Sequence, residues 1–256
     1  MIITQTPLRI SFFGGGTDYP AWYRKNSGQV LSTTIDKYLY ISCRYLPPFF
    51  EQRLRLVYST IEACESAAEL IHPTARETLQ FLNINNELEI HYDGDLPARS
   101  GMGSSSCFTV GLINALYSIK RKKISKIDLA KKTINFEQKI MKEIVGSQDQ
   151  VVASIGGFNK IIFNKNKSIR IKKIKRNKNI ESLENNLVLI YTRINRTAHK
   201  IASSYVKKLT TTKKNYIKNI QNLLIFMEKI GRSNAVLNSS FSSLKISKGI
   251  SISLLF

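Results

Sequence analysis

The stretch RSGMGSSSCFTVG, residues 99–111, packs three glycines and four serines into thirteen positions, ahead of a run that reads as a helix from Cys107 to about Ile119. Gly and Ser are turn formers, so one reading is a loop ending in a serine cap. The other reading is chemical. A helix N-terminus carries unpaired N–H groups and the positive end of a dipole. Glycines before it let the backbone curl until several N–H groups converge on one point, and that geometry binds phosphate. Upstream, LEIHYDGDLP (88–97) alternates Leu88, Ile90 and Tyr92 and breaks at Asp93-Gly94, which predicts a strand. The loop therefore runs from strand to helix, the context a phosphate loop requires.

The neighbouring segments read as strands and helices in mixed order. VLSTTIDKYLYISCRY (30–45) and RLRLVYS (53–59) are strand-like, and HPTARETLQFL (72–82) predicts a helix with Pro73 near its start. SKIDLAKKTINFEQKIMKEIVG (125–146) predicts one helix, capped by Ser125 with Asp128 answering back. Phe136 and Ile140 share its apolar stripe with Ile134 and Met141, and Glu137 lies on the edge of that stripe. NLVLIYT (186–192) predicts a buried strand, and helical spacing continues over about 198–230. Eleven of the 13 glycines lie in residues 1–164, so the expected domains are 1–165 and 166–256.

Composition narrows the class. The 256 residues are 43% hydrophobic, which fits a globular protein with a substantial core. No apolar run is long enough to span a bilayer, so no membrane partner is expected. The start, MIITQTPLRISFF, lacks the pattern of a signal peptide. Cys43, Cys64 and Cys107 are odd in number and widely spaced, which predicts reduced thiols and a cytoplasmic location. His72, His91 and His199 form no metal-ligand pattern and read as structural or surface residues. The net charge of +21 is concentrated late: residues 165–256 hold 20 Lys+Arg against 3 Asp+Glu, while residues 1–164 hold 19 against 15. A basic block can mean nucleic acid. Here the lysines sit among Ile, Asn and Ser, without the interleaved aromatics of a nucleic-acid surface. No specific nucleic-acid partner is expected, although a basic, nucleic-acid-associated protein stays open as an alternative.

Three clusters require a joint explanation. TPLRISFFGGGTDYP (6–20) brings together a positive charge, three glycines and a carboxylate; the Gly/Ser loop is the second; Glu137 and Asp149, the latter within GSQDQ, form the third. In this order they resemble the GHMP kinases, named for galacto-, homoserine, mevalonate and phosphomevalonate kinases. LPARSGMGSSS (96–106) is similar to the family's phosphate loop, and TPLRISFFGGGTDYP to its substrate-side motif. Within the superfamily the heptose 7-phosphate kinases match best, through GQVLSTTIDKYLYI, HPTARETL, GSQDQVVASIGGFN and LENNLVLIYTRINRTA as well.

The resemblance implies an α+β two-domain GHMP kinase fold, with an N-terminal mixed α/β domain and a C-terminal α+β domain. It implies an ATP- and magnesium-dependent enzyme that phosphorylates the anomeric hydroxyl of D-glycero-D-manno-heptose 7-phosphate, as in surface-polysaccharide synthesis. Arg99, Ser100, Gly101, Met102, Gly103, Ser104, Ser105 and Ser106 would cradle ATP phosphates. Ser105 and Glu137 would hold magnesium, Asp149 would accept or orient the proton of the attacking hydroxyl, and Arg9 would offset charge on the transferred group. Gly15, Gly16, Thr17, Asp18 and Arg196 would face the sugar phosphate, with Arg24 and Lys25 as further candidates. Bland readings stand beside these: Asp18 as a turn residue, Glu137 as a surface ion-pair partner, Asp149 as the cap of a helix starting at Gln150, and Arg196 as surface charge. Other sugars, such as galactose or fucose, and a non-catalytic binder of sugar or nucleotide are the alternative functions. The family's third Gly-rich motif has no counterpart here, and Arg193 stands where the heptose kinases have Gly. The C-terminal domain is therefore expected to be incomplete.

Overall fold

A computed structural model gives the structure of the protein and describes residues 1–84, 87–98 and 100–190, with Val206 and Asn222 beyond them. Arg99, Arg193, Arg196, His199 and the helical spacing expected over 198–230 lie outside the described residues, apart from those two positions.

The framework is a seven-stranded mixed sheet built around β2 (Gly28–Tyr45). At 18 residues, β2 is long enough to host two partners end to end on one edge. Its first part pairs antiparallel with β6 (Phe158–Phe163) and its last part with β5 (Leu88–Gly94). Along its other edge runs β1 (Ile2–Phe13). β3 (Leu54–Val57) lies parallel to β5 and pairs in turn with β4 (Ile61–Cys64), while β7 (Ile169–Lys173) extends the sheet beyond β6. β1 breaks register twice, between Pro7 and Arg9 and between Ser11 and Phe13. Such bulges re-aim side chains, and here they occur at the two polar residues that later meet the site.

Among the described residues six α-helices accompany the sheet: α1 (Pro20–Asn26), α2 (Pro73–Phe81), α3 (Ser104–Ile119), α4 (Lys126–Asn135), α5 (Gln148–Ile155) and α6 (Lys178–Asn185). α3 is the central one. Residues 106–113 are buried without a break, and the helix packs on β1 and β2. A helix buried on all sides has no polar face, which is why its sequence runs Cys-Phe-Thr-Val-Gly-Leu-Ile rather than alternating. A second, smaller core lies under Trp22, Tyr23, Val151 and Phe163, where α1 and α5 meet the β6 end of the sheet.

The strands expected at 30–45, 53–59 and 88–97 and the helix at 72–82 are present. Four local expectations are corrected. α3 begins at Ser104, ahead of Cys107, because Gly103 turns left-handed at φ 78° and the three serines continue the helix. The single helix expected over 125–146 ends early: α4 gives way to one π-type turn over Phe136–Ile140, and the rest is irregular. That turn buries Phe136 and Glu137, adjacent in sequence, and leaves Ile140 40% exposed, off the expected stripe. The strand expected at 186–192 does not form over its described part: residues 187–190 are in no strand and Val188, Leu189 and Ile190 are exposed, since no described strand pairs with them. Part of the basic run IRIKK is strand β7, whose Ile169 and Ile171 pack against the second core.

α3 approaches β1 most closely at Gly111, whose carbonyl accepts the Thr4 hydroxyl at 3.0 Å. A Cβ there would lie 2.8 Å from Thr6 Oγ1 and 3.2 Å from Ile41 Cγ1. In an open helix Gly→Ala gains about 1 kcal/mol. Overpacking against a stiff β-branched neighbour costs ~1–3 kcal/mol, so the penalty wins. Gly111→Ala is expected to lower the urea midpoint, and Thr6→Ala added to it should recover part of the loss. A stabilised single variant would show that α3 can lift from β1 freely.

Candidate active site

The Gly/Ser loop is docked on the edge strand β1 at its first bulge. The Arg9 N–H donates to the Met102 carbonyl at 3.2 Å. The Arg9 guanidinium donates to the Gly101 carbonyl at 2.9 Å and, through Nε and Nη2, to both oxygens of Asp149 at 2.7 Å. Asp149 lies in the first turn of α5, with Ser147 at the N-cap, so it is not the cap expected for a helix from Gln150. The two side chains are only 13% and 25% exposed. Burial works against the Arg9 charge, yet the Asp149 carboxylate beside it raises the Arg9 pKa on balance. A Cβ on Gly103 would sit 3.3 Å from Asp149 Oδ2, so loop, arginine and carboxylate share one small volume. Gly101 and Gly103 both take positive φ, which permits the tight turn into α3. Ser100 Oγ is buried and has no hydrogen-bond partner among the described residues.

Glu137 stands beside the start of α3. It is buried; Ser106 donates to its Oε2 at 3.0 Å, and the Gln150 amide donates to the same oxygen. Its Oε1 is buried without a hydrogen-bond partner among the described residues. Burial pushes the Glu137 carboxyl up to about 7, with hydrogen bonds from Gln150, Thr109 and Ser106 pulling the other way. An orphaned, buried carboxylate oxygen next to serine hydroxyls fits a hard divalent cation that keeps other oxygens from water or phosphate. Among the described residues no three His, Cys, Asp or Glu gather at one place, so Glu137 would be such an ion's main charged protein ligand. Ser106, and not Ser105, is bonded to Glu137; Ser105 is exposed and Ser104 half-buried in the first turn.

The substrate-side motif is divided in two. Gly15 is exposed and Gly16 half-buried near the site, but Thr17 and Asp18 point inward. Thr17 Oγ1 lies 2.8 Å from the Gly14 carbonyl and 2.9 Å from that of Gln29, and accepts the Gln29 N–H. Asp18 accepts the N–H groups of Gly16 and Gln148 at 2.9 and 3.1 Å. Burial first, and the Asp149 charge second, push the Asp18 carboxyl up to about 6. Gly146 is required beneath it, since a Cβ there would lie 1.9 Å from Asp18 Oδ2. Thr17 and Asp18 are thus buried and tie the β1–α1 loop to β2 and to the start of α5. Arg24 and Lys25 are exposed in the last turn of α1. His72 caps α2 and His91 lies 3.2 Å from Glu89, in structural roles.

Sequence reasoning missed four members of the site: Ser11, Ser106 as the Glu137 donor, Gln148 and Gln150. Their signal was adjacency, since Gln148 and Gln150 flank Asp149 in GSQDQ.

With this geometry in place, the comparisons with known proteins are specific. Residues 57–157 match the family described as GHMP kinases N terminal domain, and this part of the chain is a GHMP kinase N-terminal domain. The chain is 30% identical over 223 residues to the D-glycero-alpha-D-manno-heptose 7-phosphate kinase of Campylobacter jejuni. That match takes in 81% of this chain and 64% of the relative, so the chain spans less than two thirds of that relative's length. Its fold is similar to that of a D-glycero-D-manno-heptose 1-phosphate kinase from Bacteroides thetaiotaomicron, with TM-score 0.68 and 21% identity over 93% of this chain and 82% of that one. It is also similar to the mevalonate kinase of Methanococcus jannaschii, with TM-score 0.52 and 17% identity over 83% and 73%. The mixed α/β architecture is therefore the GHMP kinase fold.

Because folding raises the Glu137 pKa from 4.5 to about 7, its favourable contribution to stability is complete below 4.5 and is lost as pH rises through 7. Above that, the ionised buried group weighs against the fold by ~3 kcal/mol. Glu137→Gln, which mimics the protonated form, is expected to melt above the parent at pH 8 without ligands, with the gap narrowing at pH 5. A variant that melts lower at pH 8 would refute the assigned cost.

Proposed function

We propose that the chain provides the phosphate and sugar sites of an ATP-dependent kinase that phosphorylates the anomeric hydroxyl of D-glycero-D-manno-heptose 7-phosphate to the 1,7-bisphosphate. The observation that carries this reading is the Arg9–Asp149 pair, bonded through both carboxylate oxygens and set against the loop at the N-terminus of α3. Phosphoryl transfer asks a protein mainly for position and charge, not for covalent chemistry. The loop from Ser100 to Ser106 offers N–H groups and hydroxyls to ATP phosphates; Arg99 and Arg196 belong to this reading by their place in the motifs.

Asp149 takes or orients the proton of the sugar hydroxyl, and Arg9 offsets charge on the transferred group, a contribution of ~3–4 kcal/mol to the barrier in comparable cases. Glu137 and the exposed Ser105 would hold magnesium, which supplies neutralisation of the phosphate charge. Gly15 and Gly16 leave room for a large sugar beside Asp149. The choice of a heptose 7-phosphate is supported by the Campylobacter jejuni relative's name; the Bacteroides protein is named for a 1-phosphate, so the site of phosphorylation is the finer part of the proposal.

The test is ADP formation by the whole chain with ATP, magnesium and D-glycero-D-manno-heptose 7-phosphate, with galactose and fucose as comparators. Turnover is expected with the heptose phosphate, and Asp149→Asn should lower kcat about 100-fold or more. Faster turnover of galactose or fucose would assign another sugar. Tight ATP binding with no turnover of any sugar would leave a binder in place of the enzyme.

A further inference from the structure

The first turn of α5 presents Gln148 immediately before Asp149. The Gln148 side chain is not free to turn. Ser11, just before the second bulge of β1, donates its hydroxyl to Gln148 Oε1 at 2.8 Å. Its backbone is fixed as well, because the Gln148 N–H donates to buried Asp18. With the amide oxygen spoken for, the Nε2 group is the end that remains, and among the described residues no acceptor meets it.

The surroundings say what could. Gly15 is exposed, and a Cβ built on it would come 3.8 Å from both Gln148 Nε2 and Ser11 Oγ. The open surface over Gly15 is therefore overlooked by one oriented amide donor, one residue along the helix from the carboxylate proposed to handle the attacking hydroxyl. An amide N–H₂ held in one orientation offers hydrogens and no lone pair, so it selects an oxygen acceptor.

We propose that Gln148, oriented by Ser11, fixes the acceptor sugar by donating to a ring or hydroxyl oxygen next to the hydroxyl that is phosphorylated. Gln148 is then a specificity residue and Ser11 a positioning residue acting through it. This deepens the kinase reading above and rests on it. A site built to donate to an oxygen discriminates against sugars that do not place one there, because the donor is then left without its partner.

The experiment is steady-state kinetics of the whole chain with heptose 7-phosphate and ATP varied separately, alongside thermal melts. Gln148→Ala should raise the KM for the sugar about five- to tenfold, the scale of one lost neutral hydrogen bond, while leaving the KM for ATP and the melting temperature near those of the parent. Ser11→Ala should raise the sugar KM by a smaller factor, and it should add nothing on a Gln148→Ala background, since it acts only through the amide. Gly15→Ala tests the location independently. Its φ is not in the left-handed region and its Cβ meets no clash, so it should fold normally yet raise the sugar KM by crowding the donor. An unchanged sugar KM in Gln148→Ala, with the parent turning over, would overturn this inference and leave the kinase intact. So would additive effects of the two substitutions, or a parallel rise in both KM values with a lowered melt, which would mark a structural role. A parent that neither binds nor phosphorylates any sugar would remove the kinase reading and this one together.

Discussion

Arg9 holds three distant pieces of chain to one point. Its backbone fixes Met102, and its side chain fixes Gly101 and Asp149. A guanidinium suits this task because its donors are planar and fixed in a fork, so one side of the fork can grip a carboxylate while another N–H reaches a carbonyl. The arrangement also explains why the first bulge falls where it does. An unbroken strand would send the residue after Leu8 along the ladder, whereas the register shift between Pro7 and Arg9 lets the strand edge donate to the loop.

Around this point the protein uses its polar residues in two ways that look alike in sequence. Thr17 and Asp18 are taken up by backbone groups and define where the loop between β1 and α1 can go. Glu137 instead keeps a buried oxygen that has no hydrogen-bond partner among the described residues. Burial without full satisfaction is costly, and native structures keep it where a ligand is to arrive. The distinction between staple and site thus lies in what remains unsatisfied, and residue type does not reveal it.

The same distinction sets how much could be read in advance. The strand–loop–helix around residues 99–111 was legible because Gly, Ser and the following apolar run are local signals. Glu137 and Asp149 were singled out only through their place in the family's motifs. The inward turn of Asp18 was not, because it depends on the N–H of Gln148, 130 positions later in the chain. The π-type turn at Phe136–Ile140 was hidden for a related reason: the sequence keeps helical periodicity through Met141, and only the need to bury both Phe136 and Glu137 widens the turn. β7 was masked by its lysines, although Ile169 and Ile171 already alternate as a half-buried strand does.

The bond between Arg9 and Asp149 joins residues 140 positions apart in the chain. That separation has a meaning in time as well as in space. β1 precedes both its loop partner and its carboxylate in the chain. Contacts of such long range are among the last to be rewarded as a chain folds, since the entropy of closing the loop must be met first. The site is therefore not a part that the fold carries from the outset. It depends on α5, so a chain interrupted before that helix would keep Arg9 and the Gly/Ser loop without the carboxylate that pairs with them.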